Sequence, residues 1–110
     1  CLDFSFGNYL INKSHLDICG DKAISVGENS KVNLNDINIK NSNIGIASKD
    51  SSKTQIYNAE IQNVFMCMAA YKKKQEFSGG FITVNNINCN DFVKKTQIDN
   101  FSEIIINDKL

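Results

Sequence analysis

The stretch AISVGENSKVNLNDINIKNSN, residues 23–43, is followed after a single isoleucine by GIASKDSSKTQIYNAEIQNVF, residues 45–65, and the two overlay without a gap. The period is 22 residues, and it sets Ile24 on Ile46, Ser30 on Ser52, Lys31 on Lys53, Leu34 on Ile56, Ile39 on Ile61 and Asn41 on Asn63. A fixed period in this range means stacked supersecondary units, so it takes precedence over local propensity. Each unit holds short alternating runs such as KVNLN and DINIK, separated by Asn, Ser, Gly and Asp. Alternation is the strand signal and the polar clusters are turn signals. The regular Leu and Asn spacing of leucine-rich repeats is missing. Three strands and three turns per unit predict one coil of a parallel β-helix.

The remaining chain follows the series. Met68 takes the Ile24/Ile46 position, and after six extra residues Val84, Ile87 and Cys89 take those of Leu34, Ile37 and Ile39. The surplus lies within KKKQEFSGG, which predicts a loop pushed out of one turn. Upstream, Leu2 and Phe4 fall on Ile24 and Val26, while INKSHLDICGDK closes a first coil with its register off by one. The final FVKKTQIDNFSEIIINDKL is a degenerate coil whose SEIIINDKL can cover the open end. The expectation is an all-β chain: one right-handed, single-stranded parallel β-helix domain over residues 1–110, with about five coils. At ~4.8 Å between neighbouring strands, the stack is roughly 20–25 Å tall.

Composition agrees with a folded β domain. Hydrophobic residues make up 42%, Pro is absent, and no segment has the apolar periodicity of a long helix. No run reaches transmembrane length. The chain opens on Cys1 in mid-coil, which predicts a piece of a longer protein with a neighbouring domain as its partner. Net charge is zero and Arg does not occur, which argues against a nucleic-acid surface. YKKKQEF, the only basic cluster, reads as a solvated loop.

The period, the three-strand coil and the column Asn41, Asn63, Asp91 resemble right-handed parallel β-helix proteins of the pectate-lyase-like superfamily. Those proteins often stack Asn side chains at one turn, where amides hydrogen-bond along the column. LDFSF, GDKAISVGE, IGIASKDSS and AAYKKKQEF are similar, more narrowly, to β-helical segments of bacterial surface proteins, including some joined to a CotH-like (spore-coat-kinase-like) domain. The resemblance implies an extracellular or cell-surface setting and polysaccharide as ligand. It also implies what to look for in an enzyme: an Arg or Lys base with Ca²⁺ in the lyases, clustered Asp in the hydrolases. Lacking Arg, the chain lacks the commonest lyase base, and no Asp–Asp pair of the hydrolase kind occurs. A Lys base stays open, since burial lowers an ammonium towards neutrality. His15, the only histidine, reads as structural.

Cysteine spacing contains neither C-x-x-C nor a His/Cys ligand pattern, so zinc is not expected. Cys89 falls on the inward Ile39/Ile61 position as a small core residue, and Cys67 falls on Gly45 beside a turn. Cys1 and Cys19 lie nearly one coil apart, where a bridge is feasible. The expectation is nevertheless free thiols.

One constellation stands out. The overlay stacks Gly27, Lys49 and Tyr71 in one column and Glu28, Asp50 and Lys72 in the next. Glu28 and Asp50 would then sit roughly 5 Å apart and repel unless something compensates. Lys72, Lys49 or a bound cation such as Ca²⁺ can do so. Asp21, Lys22, Lys73, Lys74 and Glu76 fall at the same end of the coil. Glu28, Lys49, Asp50, Tyr71 and Lys72 therefore form the candidate binding strip. Its competing explanation is a charge ladder that discourages misregistration. The expected function is a non-catalytic structural or glycan-binding module. The alternative is a fragment of a polysaccharide lyase or hydrolase whose catalytic residues lie partly outside these coils.

Overall fold

A computed structural model of the chain describes residues 1–107. It contains six strands in chain order: β1 (Leu2–Phe4), β2 (Gly7–Val26), β3 (Ser30–Lys49), β4 (Lys53–Tyr71), β5 (Phe81–Ile98) and β6 (Glu103–Ile106). All five neighbouring pairs are parallel and follow one another in sequence order. The result is a β-solenoid of about five turns, with no helix among the described residues.

Each long strand bends twice, and the bends have a chemical cause. At one corner the backbone turns left-handed at Lys13, Asp36, Asn58 and Asn86, and at the next it does so at Ile18, Asn41, Asn63 and Asp91. Asn and Asp tolerate that conformation because a short polar side chain can satisfy nearby groups. The bends divide a coil into a first, second and third face. The corner returning the chain from the third face to the first is longer, and it holds the loop at 72–80.

The predicted columns point inward. Ile24, Ile46 and Met68 stack on the third face, and Leu34, Ile56 and Val84 on the first, all fully buried. Ile39 and Ile61 are buried on the second face, with Cys89 packed beneath them. Burying such a side chain contributes roughly 1.5–3 kcal/mol, which is why these positions tolerate only apolar groups. In the first coil the register moves from 23 to 22 residues between Asp17 and Gly20, a bulge where the overlay slips by one.

Polar ladders follow the corners. Asn63 donates to Asn41 at 2.6 Å, as expected for that pair of the column, and Asn41 donates in turn to Asp17 at 2.8 Å, a member the overlay does not include. A second ladder was not anticipated: Asn86 donates to Asn58 at 2.8 Å and Asn58 to Asp36 at 3.3 Å. Inside the solenoid, the Ser48 and Ser52 hydroxyls lie 2.6 Å apart and Thr54 donates to Ser48 at 3.0 Å. These hydroxyls are buried but partnered, so they cost little.

The expectation of free thiols is overturned, because Cys1 pairs with Cys19 and Cys67 with Cys89. Their Cα atoms lie 5.4 and 6.5 Å apart, within bridging range. The overlay places Cys67 beside a turn, yet it is fully buried in the core. The extra loop residues shorten the effective step from Cys67 to Cys89, so Cys89 stops on the second face of the next coil and meets Cys67 across the interior. One bridge ties Cys1, immediately before β1, to β2 and the other ties β4 to β5, near the two ends of the stack.

At the C-terminal end, β6 covers only the first face of the last coil, and Ile104 and Ile106 pack onto the core. The β5 residues from Phe92 to Gln97 are exposed, and Ile98 is 53% exposed. Residues 108–110 of the proposed end cover lie outside the described residues.

Candidate functional site

The long corner gathers the strip, but not as a flat row of charges. Lys49 pairs in register with Tyr71, and the Lys49 Cε methylene lies over Gly27, so the Gly27–Lys49–Tyr71 column exists as expected. The neighbouring column is rearranged by the loop that follows Tyr71. Asp50 is fully buried, and its Oδ1 accepts hydrogen bonds from the backbone N–H groups of Lys73 (2.7 Å) and Lys74 (2.9 Å). Glu28 instead faces the Lys74 ammonium and also accepts from the Ser5 hydroxyl at 3.3 Å. Backbone donors and Lys74, rather than Lys72, separate the two carboxylates.

Lys72 serves elsewhere. Its N–H donates to Asp99 Oδ2 at 2.7 Å, and its ammonium lies 4.4 Å from the centre of the Phe101 ring. The loop is further fixed by Ser51 and Ser78, whose hydroxyls lie 2.9 Å apart, and by Phe77 resting near Phe6 of the first coil. It leads into β5 through Gly79 and Gly80. A Cβ at Gly80 would lie 1.9 Å from the Ser48 carbonyl oxygen, so only glycine fits there. The loop is a strap across several coils.

The electrostatics follow from these contacts. Lys74 holds the Glu28 carboxyl at about 2, far below its ordinary 4.5. The hydrogen bond to Asp21, at 2.8 Å, raises Lys22. Burial raises the Tyr71 phenol, and the adjacent Lys22 ammonium only partly offsets this. The phenol is therefore a neutral donor at ordinary pH.

On the third face beside Tyr71 is a hollow of about 190 Å³. Ile44, Met66, Ala69, Ala70 and Ile98 give it an apolar surface, and Lys22, Tyr71, Gln97 and Asp99 supply polar groups. Of the strip, only Tyr71 reaches this hollow. Lys22, Gln97 and Asp99 lie outside the strip that the sequence overlay points to; Lys22 is signalled by its place in the charged Asp21–Lys22 pair at the same end of the coil. Among the described residues no group of three or more His, Cys, Asp and Glu is placed to hold a metal ion.

No family model matches the chain, and no curated protein or solved structure is similar enough to count as a relative.

Proposed function

We propose that the chain is a non-catalytic β-helical binding module for glycans. The observation that carries this reading is the Tyr71 hollow. It is the size of one sugar ring, with an apolar surface for the ring's C–H face and an amide, a carboxylate, an ammonium and a phenol for its hydroxyls. Two disulfides suit an oxidising compartment, which supports an extracellular or cell-surface setting. The finer kinship with pectate-lyase-like proteins, and with β-helical segments of bacterial CotH-like surface proteins, rests on the sequence resemblance. It brings polysaccharide and a neighbouring domain as partners.

The strip enters this function indirectly. Glu28 and Asp50 hold the strap in place, and the strap follows directly on Tyr71, the last residue of β4, so the charged column steadies the end of the strand whose ring meets the sugar. Tyr71→Ala tests the reading on a glycan array: binding by the intact protein should disappear while the melting temperature stays near the parent's. An array that shows no bound glycan for the intact protein rejects it.

A further inference from the structure

A second concavity lies away from the strip, between the Asp36–Asn58–Asn86 corner and the second face. This trough, about 470 Å³, has Ile37 and Ala59 at its base. Along one wall runs the hydrogen-bonded ladder of Asp36, Asn58 and Asn86. Along the other stand His15, Asn38, Glu60 and Asn88, which occupy one register position on four successive coils. Asn38 donates to Glu60 at 3.4 Å. Both walls therefore repeat with the coil, about every 4.8 Å along the axis.

The ladder does not exhaust these groups. Each amide has two N–H donors and a carbonyl oxygen with two lone pairs, and each carboxylate has about four acceptor sites. Asn58 makes one hydrogen bond in each direction along its column, Asp36 and Asn86 make one each, and Asn88 accepts one from Asn90, so every group on the two walls keeps further donor or acceptor capacity. Mixed donors and acceptors of this kind suit hydroxyl groups, which can both give and accept a proton. Among the described residues no lysine lines the trough, whereas Asp36 and Glu60 do. An acidic chain would meet like charge there. Lys31 and Lys53 lie on the first face, in a different concavity.

We infer that this trough binds an extended, uncharged glycan laid along the solenoid axis, held by the Asp36–Asn58–Asn86 and Asn38–Glu60–Asn88 walls. It rests on the glycan-binding reading and adds a chain-binding site to the single-ring hollow at Tyr71.

Calorimetric titration of the intact, disulfide-bonded protein tests it, using cellohexaose and N-acetylated chitohexaose as uncharged chains and oligogalacturonate as the acidic one. One of the uncharged hexamers should bind with an affinity that hardly changes from low to high salt, and oligogalacturonate should bind more weakly. The double variant Asn38→Ala/Glu60→Ala should lose about tenfold or more in affinity, ~1.4 kcal/mol per factor of ten. It should melt like the parent, since Glu60 is exposed and Asn38 only half-buried. Lys31→Ala/Lys53→Ala should leave binding unchanged. Failure of both uncharged hexamers to bind, or binding that survives the double variant, overturns the inference. Binding lost in Tyr71→Ala but kept in the trough variant would overturn this site alone and leave the glycan-binding function standing.

Discussion

The Lys74 ammonium donates to the carboxylate of Glu28, a residue 46 positions earlier in the chain. The contact spans two coils and runs outside the strand ladders, adding a side-chain tie to the backbone hydrogen bonds that hold the strap at Asp50 and Ser51. Its consequences can be separated from those of the stack.

The first consequence is an acid limit. Glu28 has its folded pKa depressed to about 2 from an ordinary 4.5, with the Lys74 hydrogen bond as the largest cause. A depressed carboxylate contributes stability that is full above its unfolded pKa and lost as pH falls through the folded value. The strap contact should therefore weaken between about pH 4.5 and 2. A ¹³C-detected titration of the Glu28 carboxyl should show a midpoint near 2, moving back towards 4.5 in Lys74→Met. An unshifted Glu28 in the parent protein would mean that the contact is not held in solution.

The interior predicts a larger effect. Ile46 and Ile61 are fully buried, and a coil has no second core on which to lean. Truncating either to Ala should cost roughly 2–5 kcal/mol. Denaturant unfolding measures this directly, and a midpoint equal to the parent's would place the side chain outside the core.

The disulfides should divide by accessibility. Cys1 is exposed and Cys67 is not, so a mild dithiol should open Cys1–Cys19 first. Removing either bridge by paired Cys→Ser substitution should cost about 2–4 kcal/mol. Peptide mapping after graded reduction reads the order, and simultaneous opening would show that the last coils expose Cys67–Cys89 readily.

Much of this fold was legible because a solenoid repeats its constraints. The pairs Ile24/Ile46, Leu34/Ile56 and Ile39/Ile61 were readable since each coil must supply the same inward residue at the same step. The first coil showed its slip as an offset of one, and the structure places it between Asp17 and Gly20. Features that break the repeat were harder to read. The six extra residues hid the geometry of Cys67 and Cys89, because sequence separation no longer equals a coil. They also supplied the backbone donors for Asp50, which a register argument cannot foresee. The Asp36/Asn58 column had the same 22-residue signal as Asn41/Asn63 and could have been found.

Ile18 offers a stabilising change. It adopts φ +55° and is 78% exposed, a β-branched residue in a conformation that such residues avoid. The other coils place Asn or Asp at this corner. Ile18→Asn should raise stability by about 1 kcal/mol by relieving the left-handed penalty. A lower unfolding midpoint would show that the isoleucine contributes packing that outweighs the backbone cost.

The last prediction concerns Asp50. Had Glu28 and Asp50 formed an exposed pair of like charges, neutralising one would be neutral or stabilising. The structure gives the opposite sign, because the Asp50 carboxylate is buried and accepts two backbone N–H groups of the strap. Asp50→Ala leaves both donors without their acceptor, and an orphaned buried donor costs about 1–3 kcal/mol. Asp50→Asn keeps an acceptor oxygen and should fall between Ala and the parent. Hydrogen exchange distinguishes a local from a global effect. In Asp50→Ala the Lys73 and Lys74 amides should exchange much faster, while the buried amides of Ile46 and Ile61 keep most of their protection. Because the strap follows directly on Tyr71, the same variant should also weaken glycan binding at the hollow beside it. Equal protection of Lys73 and Lys74 in variant and parent would show that Asp50 does not hold the strap, and its link to the sugar site would fall with it.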